Sequence, residues 1–146
     1  MVGEEGSTRH LGRLTRISPT PDCLTVSNRD IQLACELIAL RLPALRQPAR
    51  VCTRRIKAHS RCLGQYRYFS DTMRLHPCYL AELDDECALE LLDTVLHEIL
   101  HKNSHPLRQL RDTFLPHPDI YEEAARLARI LAAEYRALRQ SEMAGA

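Results

Sequence analysis

The 146-residue chain carries almost no net charge, with 20 Lys and Arg against 19 Asp and Glu, a formal +1. A balance this close gives no global field to drive the molecule onto nucleic acid. No apolar run is long enough to cross a bilayer, so no membrane partner is expected. The opening, MVGEEGSTRH, is polar and lacks the apolar core of a signal peptide; export by that route is not expected. Six cysteines stand at 23, 35, 52, 62, 78 and 87, yet none forms a CxxC pair. Without an export signal they are expected to stay reduced, in a cytoplasmic protein. Cys35 and Cys87 fall on apolar helical stretches and are expected to pack as small hydrophobes. No internal repeat is visible.

What is present suits one ordinary domain. The length matches a single-domain size, and a 45% hydrophobic content is enough for a real core. Residues 1–27, with the turn-rich SPTPD, read as a flexible N-terminal arm. Residues 28–146 read as the domain. In SNRDIQLACELIALRLPAL the apolar spacing predicts a helix over 28–42, with Ser27 and Asp30 as a capping box and Pro43 and Pro48 ending it. RVCTRRI, LGQYRYF and TMRLHP are short and rich in β-branched or aromatic residues, which predicts three strands, the last two a hairpin closed by the SD turn. A second helix is expected over 84–103, opened by Asp84 and Asp85 and stopped before Pro106. SHPLRQLRDTFLPHP then reads as a loop, and a last helix as 118–141. The fold class is therefore α+β: an N-terminal helix, a three-stranded antiparallel or mixed sheet, and two further helices.

LLDTVLHEILHKNSHP, residues 91–106, concentrates the chemistry. It places His97, Glu98, His101 and His105 along one strongly apolar stretch, and burying titratable groups is costly unless something pairs with them. His97-Glu98-x-x-His101 is the HExxH pattern. Helical residues four apart lie about 40° apart around the axis and about 6 Å along it. Both imidazoles can therefore reach one Zn²⁺ at about 2.0–2.1 Å. Glu98 sits on the adjoining face, placed to serve as general base on a zinc-activated water without being a ligand. The bland alternative, two core histidines, needs two separate hydrogen-bond solutions.

Catalytic zinc usually takes three protein ligands, and the residues leave three candidates for the third. His105 would lie about 12 Å along the axis from His97 if the helix continued. It is expected instead near the helix C-terminus, where a cationic imidazole is favoured. His117 precedes the last helix. Glu122 or Glu123 lies inside it. Asp93, one turn before His97, is a candidate to orient a ligand imidazole.

RCLGQYRYFSDTMRLHPCYLAEL, LLDTVLHEILH and HPDIYEEAARLARIL together resemble SprT-like zinc metallopeptidases, over residues 31–130. The resemblance implies a small zincin-like domain hydrolysing peptide bonds, with Zn²⁺ as cofactor and a protein or peptide as substrate. It implies His117 as third ligand beside His97 and His101, and Glu98 as the catalytic base. Pro118 stands where that family has Gly, and Tyr121 where it often has Phe. The compact layout is also similar to minigluzincins, which would use Glu122 or Glu123. Tyr121, His105 and Arg61 are the candidates to stabilise an oxyanion. TMRLH could receive substrate as an added β-strand, though plain sheet structure is at least as good a reading.

Arg50, Arg54, Arg55, Lys57 and Arg61 form a local basic stretch over 50–61. It allows at most a weak, salt-sensitive DNA contact and reads more simply as a solvated turn. The charged last helix reads as a surface helix laced by i,i+3 and i,i+4 pairs. Two other classes stay open: a non-catalytic nucleic-acid- or partner-binding domain built on a four-ligand structural zinc, and an accessory protein that keeps the fold to bind a partner.

Overall fold

The computed structural model describes residues 28–145. The expected arm, residues 1–27, and the Ser27 cap lie outside them. The described elements are α1 (Arg29–Arg41), β1 (Arg50–Cys52), β2 (Gly64–Arg67), β3 (Thr72–Leu75), a 3-10 turn (Pro77–Leu80), α2 (Asp85–Lys102), α3 (Pro106–Phe114) and α4 (Pro118–Ala144). The fold is α+β, with four helices and one mixed sheet among the described residues.

Three of the four described helices start where a side chain satisfies a free backbone N–H. Asn28 accepts from the Asp30 N–H at 2.8 Å to open α1, and Asp84 accepts from the Cys87 N–H at 2.8 Å to open α2. Asn103 stops α2 and folds back, its amide donating to the Ile99 carbonyl at 2.8 Å. α2 is the axis of the molecule. Ala88, Leu91, Leu92, Val95, Leu96 and Ile99 are fully buried, each of the larger ones contributing about 1.5–3 kcal/mol by leaving water. They pack against α1, α4 and the sheet. Cys35 is buried in this core, as expected, but Cys87 is exposed in the first turn of α2.

The sheet order is β1-β3-β2, with β3 parallel to β1 and antiparallel to β2. The expected hairpin is therefore β2–β3, with Gly64 opposite Leu75 and Arg67 opposite Thr72. The strands are shorter than the apolar runs implied: β1 ends at Cys52, and the basic residues after it lie in exposed bends. β3 is the central strand, paired on both sides, so TMRLH has no free edge to offer a substrate. The edge strands are β1 and β2. Asp71, at φ 49°, makes the turn into β3. Its carboxylate accepts from Tyr66 Oη at 2.5 Å and Lys102 Nζ at 2.7 Å, tying the hairpin to the end of α2. Burial works against that charge, but the Lys102 and Tyr66 hydrogen bonds hold Asp71 below the usual carboxylate range.

The segment expected as a loop after α2 contains α3. His105 is not at a helix C-terminus: it caps the N-terminus of α3, its Nδ1 accepting from the Leu107 N–H at 3.2 Å, with Pro106 in the first turn. On α4 the Glu123–Arg126 pair is local, as expected. Glu134 and Arg139 instead bond to other elements. Glu134 accepts from Arg41 at 2.6 Å. Arg139 is only 5% exposed and donates to Asp30, Asp85 and the Leu83 carbonyl at 2.6–2.9 Å.

Candidate metal centre and its cleft

Two elements converge on one cluster. The last two turns of α2 carry His97, Glu98 and His101, and the first residue before α4 is His117. Ligand atoms of His97, His101 and His117 all lie within 4.8 Å of one another. The ring centroids of His101 and His117 are 4.7 Å apart, and those of His97 and His117 5.3 Å. A metal ion fits this donor set. His97 Nε2 and His101 Nε2 approach to 3.0 Å, close to the spacing of two ligands about 2.0–2.1 Å from a tetrahedral ion. His117 Nδ1 donates to the Leu115 carbonyl at 3.3 Å, which leaves its Nε2 lone pair free. Burial first, then the neighbouring His101 and His117, push His97 down to about 4. Burial and His117 push His101 down to about 4, with Asp112 pulling the other way. Neutral imidazoles are the form that binds metal.

Glu98 is 4% exposed, and burial pushes its carboxyl up to about 8. The strand above it explains the burial. A Cβ on Gly64 would fall 3.0 Å from Glu98 Oε1 and 2.8 Å from Thr94 Cγ2. Only a glycine lets the start of β2 lie this close to the HExxH helix. That role was missed in the sequence, although an isolated glycine in a strand is itself a signal of close backbone approach.

The cluster opens into a cleft of about 610 Å³. β2 walls one side, α2 forms the floor, and α3 with the start of α4 closes the other side. Tyr121 stands at this rim, its ring 4.3 Å from His97 and stacked on His117 at 5.2 Å. Arg61 also lines the cleft.

No family model, curated protein or solved structure matches the chain. The other third-ligand candidates are elsewhere: Glu122 is exposed, Glu123 is held by Arg126 at 2.5 Å, and exposed His105 caps α3. None belongs to the histidine cluster. Asp93 does not orient His97, whose buried Nδ1 has no hydrogen-bond partner. The carboxylate nearest a cluster histidine is one that sequence reasoning passed over. Asp112, on α3, has its Oδ2 4.0 Å from His101 Nδ1. His76, also buried, is a satisfied structural histidine: its Nε2 donates to the Ala58 carbonyl at 3.1 Å and its Nδ1 accepts from the Cys78 N–H at 2.9 Å.

Proposed function

We propose that this protein is a zinc-dependent metallopeptidase of the SprT-like kind, acting on a protein or peptide substrate. One observation carries the reading: three histidines converge at the floor of an open cleft, with the HExxH glutamate buried beside them. Three protein ligands facing an open cleft suit a catalytic zinc, whereas a structural zinc is enclosed by four. Imidazole donors also suit copper, nickel and iron; the HExxH pattern is what favours zinc.

When bound, the ion supplies Lewis acidity, polarising a carbonyl and acidifying water. The remaining work falls to the chain. Glu98 takes a proton from the attacking water and passes it to the leaving amine. Its raised proton affinity, with a value of about 8, suits a group that must both accept and donate near neutral pH. Tyr121 is the group we assign to the developing oxyanion, because its ring lies against both His97 and His117 at the cleft rim. β2 is the strand we assign to substrate. Of the two edge strands it is the one that lines the cleft, so an extended peptide can add to it through main-chain hydrogen bonds.

The test has two arms. Purified protein is expected to bind about one zinc per chain, and chelation is expected to lower its melting temperature. Glu98→Gln is expected to keep the zinc and lose at least 100-fold in hydrolysis of an unfolded protein substrate. Protein that ignores added zinc, or a Gln variant that cleaves like the parent, overturns the reading.

A further inference from the structure

α3 contributes no cluster histidine, yet it carries the charge that faces one. The Asp112 side chain is 1% exposed, and its Oδ2 is buried with no hydrogen-bond partner. That oxygen lies 4.0 Å from His101 Nδ1 and 3.6 Å from Arg108 Nε. The other oxygen, Oδ1, is held by Arg111 at 3.3 Å. Arg108 in turn pairs with Asp119, two residues past His117. A chain of polar contacts thus runs from His101 through Asp112 and Arg108 to the start of α4, joining the two elements that supply the cluster.

The ring protons can be placed from the same contacts. His97 Nδ1 is buried without a partner. A buried N–H left unpaired is costlier than an unpaired lone pair, so that nitrogen carries no proton. His97 then holds its proton on Nε2 and donates it to His101 Nε2 across 3.0 Å. His101, accepting at Nε2, must hold its own proton on Nδ1, the nitrogen facing Asp112. His101 is therefore already in the form that offers Nε2 to an ion, and His97 has to move its proton to join.

We propose that Asp112, held by Arg108, is a positioning residue: it fixes the ring and tautomer of His101 so that Nε2 is presented to the ion. This rests on the metal reading above. The separation in this structure exceeds a hydrogen bond, so Asp112 acts here through its charge. A carboxylate behind a ligating imidazole is known to orient the ring and raise its basicity, and removing one costs about 10–100-fold in metal affinity.

The experiment measures zinc and cobalt affinity of the full chain by chelator competition, for the parent and Asp112→Asn. The cobalt absorption spectrum and the ring ¹⁵N shifts of metal-free protein are recorded beside it. The variant is expected to bind about 10–100-fold more weakly, with an altered cobalt spectrum and an unchanged metal-free melt. Equal affinity and spectrum in parent and variant overturn this role while leaving the metal site intact. A parent that binds neither ion overturns the metal reading and this role together. Should the variant fail to fold, the parent's ¹⁵N shifts decide: a proton on His101 Nδ1 supports the assignment, and one on Nε2 overturns it.

Discussion

Near the start of α2, the buried guanidinium of Arg139 meets Asp30, Asp85 and the Leu83 carbonyl within 2.9 Å. Near the end of the same helix, Glu98 is buried with no compensating charge, and His97 and Asp112 each keep a buried polar atom without a hydrogen bond. Both regions desolvate charge. The first recovers the cost through hydrogen bonds and ties the end of α4 to the starts of α1 and α2. The second recovers it only in part, through Arg108 and Arg111 beside Asp112, and such a deficit is a marker of a site built for a ligand or a reaction rather than for stability. Of the six buried side-chain atoms without a hydrogen bond among the described residues, four belong to His97, Arg108, Gln109 and Asp112. The deficit is therefore local to one side of the cleft.

Breaking the satisfied end should have the largest effect on stability. Arg139→Met strands Asp30 and is expected to destabilise the fold by about 3–5 kcal/mol in urea denaturation, with zinc affinity of the folded protein unchanged. Relieving the unsatisfied end should do the reverse. Glu98 has a folded-state value of about 8, above its ordinary 4.5. The folded chain then holds a proton that the unfolded chain has lost between those values. Stability falls as pH rises through that window, and the full penalty remains above it. Glu98→Gln is expected to stabilise the metal-free protein at pH 8 by a few kcal/mol, each tenfold in proton affinity being about 1.4 kcal/mol. The gain should vanish by about pH 4, where both states are protonated. Melting curves across pH measure it. The smallest effect probes the strand that imposes the burial. Gly64→Ala crowds Thr94 and Glu98 and is expected to cost about 1–3 kcal/mol and to lower hydrolysis. Gly145→Ala, with its nearest neighbour at 3.4 Å, is the control expected to change neither.

His97, Glu98 and His101 were legible because their geometry is set by one helix, and the 3.6-residue period of 88–99 announces that helix. The hairpin was legible from turn chemistry at Ser70 and Asp71. α3 was not. Pro106 and Pro116 bracket it like loop punctuation, and Leu107, Leu110 and Phe114, which carry its helical spacing, are exposed rather than buried. Asp112 was lost with it, since a charge in an assumed loop has no direction. The roles of Gly64 and Arg139 depend on contacts between distant segments, and neither leaves a local pattern. The order β1-β3-β2 could not be read either, because three short strands fit a meander equally well.

Fifteen residues separate His101 from His117, and all of α3 lies between them. An ion held by both histidines would act on the chain as a covalent cross-link does, closing a loop of that length. By the chain-entropy reckoning used for disulfides, closing a loop of about 15 residues restricts the unfolded chain by about 3 kcal/mol. Zinc occupancy in this fold would then govern how long segment 103–116 withstands a nicking protease, independently of any bond the protein itself cuts.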